Sequence, residues 1–173
     1  MTTRSCVLNP TDILIKRFEP QDQQGVVDVI LPIQREEFDI AITANDQPDL
    51  NAIPGFYQTG TGDFWVARHG EQVVGTIGLK DIGAGQAALR KMFVAAPFRG
   101  REHSVAARLL NRLIDDARGR GVKRIFLGTT DKFLAAHRFY EKHGFSEVAR
   151  ESLPESFPVM AVDSKFYVLG LGN

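Results

Sequence analysis

Two arginines flank a glycine just before a predicted helix, and this arrangement suits the binding of an anion. Arg99, Gly100 and Arg101 follow a strand that Pro97 must end, and the helical pattern begins near Ser104. A helix N-terminus carries free N–H groups and partial positive charge, so cations there are mildly unfavourable unless an anion arrives. Glycine lets N–H groups turn toward a ligand, and arginines form charge-assisted bonds with phosphate oxygens. These residues predict a pyrophosphate site; the alternative is a surface turn with solvated arginines.

The segments around this site alternate between strand and helix patterns. Helical periodicity follows Pro20, with a break expected at Pro32, and a stronger apolar stripe follows Ser104. A third helix has Asp131 as its expected N-cap and Gly144 just beyond its end. Strand patterns occur near residues 13–18, 64–68, 73–79, 89–94, 122–130, 145–149 and 164–171.

Antiparallel hairpins come first along the chain, and a strand–helix–strand–helix succession follows. This order predicts an α/β (α+β) fold with a mixed, mostly antiparallel sheet of about seven strands flanked by helices. The 173 residues contain no internal repeat and no linker, so we expect a single domain over residues 1–173.

The overall composition limits the kinds of binding partner and the cellular location that we expect. Basic and acidic residues balance at 21 each, which predicts neither nucleic-acid nor membrane binding by the protein as a whole. No apolar run approaches the roughly 20 residues of a membrane span, the N-terminus lacks the apolar stretch of a secretory signal, and there is one cysteine, Cys6. We therefore expect a cytoplasmic protein, for which a homodimer is left open.

Several common catalytic motifs are missing from the sequence. It contains no G-x-x-x-x-G-K-[ST] phosphate loop and no G-x-S-x-G nucleophile elbow. The four histidines, at positions 69, 103, 137 and 143, do not have the spacing of a metal site, so we expect no metal.

Two sequence blocks carry a family resemblance. "MFVAAPFRGREHSVAARLL" resembles the acyl-CoA-binding segment of the GNAT N-acetyltransferases, in which a strand ending in V-x-P precedes R-G-x-G-[IV]-[GA] and x-x-L-L. "AAHRFYEKHGF" is similar to their second signature, A-x-x-x-Y-E-K-x-G-F. The order and spacing of the blocks also fit, and the resemblance is specific over Leu89 to Phe145.

The resemblance implies a sheet splayed between its fourth and fifth strands, with acetyl-CoA in the cleft as acyl donor. Backbone groups of Met92, Phe93 and Val94 would pair with the pantetheine arm. The pyrophosphate would be held by Arg99, Gly100, Arg101, Ser104, Val105 and Ala106, and one wall would be formed by Phe133, Ala136 and Tyr140. Tyr140 would also protonate the leaving thiolate, because a phenol with a pKa near about 10 is protonated at pH 7. The alternative is a core aromatic.

The sequence departs from the family pattern at three places. Aligning backward from the x-x-L-L block makes Glu102 and His103 an insertion and puts Ser104 at the usual second glycine. The asparagine that often opens the second signature is missing. Ala88 stands where some relatives carry a glutamate base. Other candidate bases are Glu36, Glu37, Asp81 and Asp131, of which we prefer Glu37; a solvated acidic helix end is the alternative for Glu36 and Glu37.

These features predict an N-acetyltransferase that moves an acetyl group from acetyl-CoA to a primary amine of a small molecule or peptide. The acceptor itself is not encoded in a recognisable motif, although Asp39, Asp46 and Asp49 would suit a small cationic amine. The lengthened loop and the missing glutamate support a different class, a non-catalytic sensor that binds acyl-CoA.

Overall fold

A mixed sheet forms the centre of the computed structural model, which describes residues 12–37, 39–43, 45–100, 104–131 and 133–172. Within those ranges the sheet has seven strands: β1 (Leu14–Arg17), β2 (Asp63–His69), β3 (Gln72–Gly83), β4 (Gln86–Val94), β5 (Arg124–Thr129), β6 (Ser146–Val148) and β7 (Lys165–Gly170). Their order is β1-β2-β3-β4-β5-β7-β6, and only β4 and β5 run parallel. The predicted mixed, mostly antiparallel sheet is confirmed.

Helices cover both faces of this sheet: α1 (Gln23–Pro32), α2 (Ile53–Phe56), α3 (Val105–Gly119) and α4 (Leu134–Lys142). Alternate residues of β2 point to opposite faces, so Trp65 packs in the cluster that contains the α3 stripe, whereas Phe64 packs in the cluster that contains α1. Gly75 of β3 lets α3 approach closely, because a Cβ there would lie 3.0 Å from a methyl group of Leu109. The sheet therefore separates two apolar layers.

The end of α1 and both ends of α4 can be compared with the positions predicted from the sequence. The α-helical turns of α1 end at Pro32, as expected, and a π-helical turn follows over Ile33–Glu37. Gly144 adopts a φ of 95° just after α4, which confirms its predicted place. Asp131 is not the N-cap of α4: the chain makes another turn, and Phe133 occupies the cap position. The reason is local, since the backbone N–H of Phe133 bonds to the Thr130 carbonyl at 3.3 Å.

A buried carboxylate ties the first strands to the end of α3. Asp63 is fully buried and accepts hydrogen bonds from Arg17 Nε at 2.7 Å and Arg120 Nη2 at 2.8 Å. It also accepts the Gln58 amide and the Phe64 backbone N–H, each at 2.8 Å. Burial alone would raise the pKa of Asp63, but these four donors together hold that pKa below its ordinary value.

We expect Asp63→Asn to lower the free energy of unfolding by about 2–3 kcal/mol at pH 7, because two guanidinium groups lose their carboxylate while keeping some solvent contact. The depressed folded-state pKa stabilises the protein above the unfolded-state value of about 3.9, and this contribution is lost as the pH falls. Urea unfolding at pH 7 and below pH 4 measures both effects.

Asp115→Asn is the matched control for this substitution. Asp115 is 77% exposed and lies 4.0 Å from Arg118, so its loss should cost less than about 0.5 kcal/mol. Two results would contradict the role of ionised Asp63. One is an equal loss of unfolding free energy in the two variants. The other is a difference in unfolding free energy between Asp63→Asn and wild type that persists at low pH.

Candidate active site

The pairing between β4 and β5 ends early. Their parallel ladder joins Gln86–Ala88 to Arg124–Phe126, and no further pair between them is described. On its other edge β4 stays paired with β3 as far as Val94, and β5 stays paired with β7 as far as Thr129. The two strands therefore separate, and the second half of β4 presents backbone groups toward a cleft. This is the splay that the resemblance implies.

A β-bulge reshapes β4 inside this cleft. Arg90 is opposite Gly78 and Phe93 is opposite Thr76, so β4 carries one extra residue here. Lys91, within the bulge, adopts a left-handed backbone conformation with a φ of 57°. Beyond the bulge, Met92 packs against the α3 layer and Phe93 against the α1 layer. Sequence patterning predicted the strand but not the bulge.

The buried hydroxyl of Thr76 holds the bulge in place. Its Oγ1 donates to the Lys91 carbonyl at 2.7 Å, at a point where the regular ladder is interrupted. The Thr76 side chain is completely buried, and its hydrogen bond to this carbonyl lies in a partly buried part of the strand. Thr76 thus supports the backbone conformation of the open edge.

The described residues on both sides of the β4–α3 connection adopt turn conformations. After a 3-10 turn over Ala96–Phe98, Gly100 adopts a φ of 108°, which favours glycine, and Ser104 adopts a left-handed φ of 52°. A left-handed Ser104 is consistent with its alignment at a position usually occupied by glycine. α3 then begins at Val105, whose N–H and that of Ala106 have no acceptor within the helix. Arg101, Glu102 and His103 lie outside the described residues.

Arg99 contacts Glu37, a residue to which the sequence analysis assigned a different role. Its Nε donates to the Val94 carbonyl at 2.7 Å, and its two terminal nitrogens lie 2.7 and 3.1 Å from the oxygens of Glu37. The expected phosphate ligand and the preferred base therefore form a bidentate ion pair. Both side chains are about two-fifths exposed, at 43% and 38%, so the pair can exchange with solvent or another ion.

Tyr140 lies on the buried face of α4. Its ring centroid is 5.5 Å from that of Phe145 and 6.1 Å from that of Tyr167, and burial raises its pKa above the ordinary value. In the described part of the chain, no group accepts a hydrogen bond from its hydroxyl. Ala136 packs in the same cluster, whereas Phe133 precedes the helix with φ −96° and ψ 73°, so the expected helical spacing does not include Phe133.

A buried polar network lies behind the bulge, and sequence analysis missed it. The Lys91 amine bonds to Gln47 and lies 3.7 Å from Asp49, whose carboxylate also accepts the Tyr57 hydroxyl at 2.6 Å. Gln47 and Gln34 exchange two amide hydrogen bonds. Burial lowers the pKa of Lys91, with Asp49 opposing, and burial raises the pKa of Tyr57. This network fixes the segment after α1 against β4.

Several acidic candidates are used structurally. Asp49 belongs to the network, and Asp46 accepts the backbone N–H and hydroxyl of Thr43, each at 3.0 Å. Asp81 accepts the backbone N–H groups of Gly83 and Thr61, which explains its place beside a turn. The acidic pattern that suggested a cationic acceptor thus reflects local folding at Asp46 and Asp49.

Comparison with known proteins decides the family. The profile of the Acetyltransferase (GNAT) family matches residues 28–145, which is more than half of the chain. The chain belongs to this family. The match covers the second half of α1, the bulged strand, α3 and α4.

Similar proteins extend the comparison. An acetyltransferase of the GNAT family from Staphylococcus aureus Mu50 has a TM-score of 0.87 and 38% identity, covering 92% of this chain and 99% of that one. The N-acetylaspartate synthetase of Danio rerio is 36% identical over 102 residues, covering 58% of this chain but 36% of its own length. The N-acetylglutamate synthase of Neisseria gonorrhoeae, complexed with coenzyme A and N-acetyl-glutamate, has a TM-score of 0.72 at 20% identity, covering 93% of this chain and 35% of its own. The region shared with this chain is therefore less than half the length of each of the first curated relatives.

None of the described helices is long and apolar enough to cross a bilayer. In the same ranges, no group of three or more His, Cys, Asp or Glu side chains is placed to hold a metal ion.

We expect Thr76→Val to destabilise the protein by about 1–2 kcal/mol, because the valine keeps the shape but leaves the Lys91 carbonyl without its donor. Thr76→Ser keeps the hydroxyl and serves as the matched variant. Urea unfolding should show the larger loss for valine; a larger loss for serine would mean that packing, not the hydrogen bond, holds the bulge.

Proposed function

We propose that the protein transfers the acetyl group of acetyl-CoA to the primary amine of a small molecule or peptide by direct attack. The observation that carries this proposal is the open edge of β4 beyond Ala88 in a chain of the GNAT family, where Val94 at the strand end shares one apolar cluster with Val105 of α3 and Tyr140 of α4. The zebrafish relative is named for N-acetylaspartate, and the Neisseria structure holds coenzyme A, which supports acetyl-CoA as the donor.

The residues of the cleft fit an extended donor with a pyrophosphate. Backbone groups of Met92, Phe93 and Val94 would bond to the pantetheine arm as a neighbouring strand would. The pyrophosphate would be held by Arg99, Gly100, Arg101, Ser104, Val105 and Ala106. Ala136 and Tyr140 would line the opposite wall beside Phe133. When bound, acetyl-CoA supplies an activated acetyl thioester.

The chain must first make the acceptor nucleophilic. A lysine-like amine has a pKa near about 10.4, so about one molecule in 10³ is neutral at pH 7. Glu37 is our proposed proton acceptor, acting through water because the pantetheine arm separates the thioester from the pyrophosphate. Phosphate oxygens that compete for Arg99 would release the Glu37 carboxylate from its ion pair.

The transfer itself needs two further groups. The amine nitrogen bonds to the acetyl carbon as the carbon–sulfur bond breaks, and a backbone N–H at the end of β4 stabilises the charge on the carbonyl oxygen. The thiolate then takes a proton from Tyr140, and the proton that the attacking nitrogen releases as the amide forms returns through solvent to the phenolate. Burial keeps the phenol protonated throughout the physiological range, and no described group competes for its hydroxyl.

A sensor that binds acyl-CoA without turnover is the second candidate. It is favoured by Ala88, which stands where some relatives carry a glutamate, and by the ion pair that occupies Glu37. A broad panel of amines, assayed for CoA release with CoA affinity measured in parallel, separates the two functions. Binding without turnover across the panel would support the sensor and reject the transferase.

We expect Arg99→Ala to weaken CoA binding about 10- to 150-fold, because a charge-assisted phosphate bond contributes about 1.5–3 kcal/mol. Glu37→Gln should act in the opposite direction, with a gain of up to about fivefold, because it releases Arg99 from an exposed ion pair. Calorimetric titration with CoA measures both changes, and Ser104→Ala should have a smaller effect than Arg99→Ala.

A phosphate-free pantetheine analogue and Arg118→Ala are the controls. Arg118 is an exposed arginine of α3, and its replacement should leave CoA affinity unchanged. Arg99→Ala should hardly change the affinity for the analogue. Equal losses for CoA and the analogue would show that Arg99 acts on the fold and not on phosphate.

We expect Tyr140→Phe to lower kcat by about 10²-fold with acetyl-CoA affinity nearly unchanged, because it removes the hydroxyl that protonates the thiolate. Stability should stay within about 1 kcal/mol, since the ring and its packing remain. Tyr167→Phe is the matched control: its ring lies 6.1 Å away, and its hydroxyl donates to Glu141 at 2.7 Å. Unchanged turnover in Tyr140→Phe, with chemistry shown to limit the rate, would leave Tyr140 as a wall of the cleft.

A further inference from the structure

Two oppositely charged side chains lie on the two sides of the splay. Ala88 of β4 pairs with Phe126 of β5, and both pack on one face of the sheet. Two residues further along each strand, the same face carries Arg90 on β4 and Gly128 on β5. The Asp163 carboxylate lies against Gly128, where an added Cβ would be 2.6 Å from its Oδ2. Arg90 and Asp163 thus flank the mouth of the cleft on the face opposite α3.

The environment of Arg90 is cationic and apolar. Its guanidinium carbon lies 5.5 Å from the Phe56 ring centroid, and Lys80 Nζ lies 4.2 Å from the same centroid. One terminal nitrogen is 3.7 Å from Met160 Sδ. Among the residues that the structure describes, no carboxylate lies within 4.0 Å of this guanidinium. By contrast, several other arginines of the described residues form ion pairs with carboxylates: Arg17, Arg68, Arg99, Arg112, Arg118 and Arg120.

Asp163 has a complementary environment. Its Oδ2 accepts the Met160 N–H at 2.9 Å, which holds the segment before β7 in place. Burial raises the pKa of Asp163, and the charges of Arg90 and Arg150 oppose that rise. Among the described residues Arg90 and Asp163 form no ion pair within 4.0 Å, and Met160 contacts both, through its Sδ to Arg90 and its N–H to Asp163. Opposite charges placed on the two sides of the splay match a molecule that carries both charges.

We propose that the acceptor is a small amino acid whose carboxylate binds Arg90 and whose ammonium group faces Asp163. This inference rests on the proposed acetyl transfer and specifies its substrate class. A guanidinium matches a carboxylate with two parallel hydrogen bonds, and a position between partly buried opposite charges favours a zwitterion over a simple amine. Lys80 adds positive potential on the carboxylate side, and the aromatic ring of Phe56 limits competing water there.

The first test uses the unmodified protein and matched acceptors. CoA release is measured with acetyl-CoA and each protein amino acid, and then with the carboxamide of each amino acid that reacts. The carboxamide keeps the amine and side chain and loses only the negative charge. We expect KM to rise about 10- to 150-fold for the carboxamide, because it cannot form the charge-assisted hydrogen bonds between a carboxylate and Arg90.

The second test assigns the charges to residues. Arg90→Gln should raise KM for the amino acid by a similar factor and leave KM for its carboxamide nearly unchanged. Asp163→Asn should raise KM for both, because both carry the ammonium group. Arg124→Gln, an exposed arginine at the opposite end of the β4–β5 pair, should change neither.

Three results would overturn the inference: equal KM values for amino acids and carboxamides, equal losses for both ligands in Arg90→Gln, or turnover of simple amines with none of amino acids. The last result would leave the acetyl transfer itself intact. CoA binding without release from any amine would instead reject the proposed function. If Arg90→Gln does not fold, the comparison of ligands on the unmodified protein still decides the question.

Discussion

The separation of β4 from β5 is the constraint on which the rest of the site depends. Backbone groups in a sheet must find partners, and β4 loses those on the β5 side after Ala88 while keeping those on the β3 side as far as Val94. A strand that is paired on one edge and open on the other provides a rigid row of donors and acceptors. The candidate donor cleft is built from this backbone more than from any side chain.

Several interactions maintain that open edge. The Thr76 hydroxyl satisfies the carbonyl at the bulge, and the Lys91 side chain turns into a buried network with Gln47 and Asp49. The network connects the bulge to the segment after α1. Buried polar groups of this kind stabilise one arrangement only when every partner is present, so the geometry of the strand and that of the neighbouring loop are coupled.

Charge is divided across the sheet in a way that suits a two-substrate reaction. Arg99 and the N-terminus of α3 place positive potential at the end of β4, on the proposed phosphate side. Arg90 and Asp163 place opposite charges on the other face, where we infer the acceptor. The ion pair between Arg99 and Glu37 bridges the two regions. Tyr140 is held in the apolar layer between α4 and β7, where burial preserves its proton.

The sequence by itself determined the order and type of the main elements, the mixed sheet, a helix start near Ser104 and the family. These follow from local signals: apolar periodicity, proline and glycine positions, and two contiguous motifs. The tertiary structure alone decided the bulge at Lys91, the cap at Phe133, the pairing of Arg99 with Glu37, and the placement of Arg90 and Asp163 on the two sides of the splay. Arg99 and Glu37 are 62 residues apart, and Lys91 and Gln47 are 44 apart, so no local pattern encodes their contact. Such contacts depend on strand register and on which neighbours compete for each buried polar group, and both are settled only when the whole chain packs.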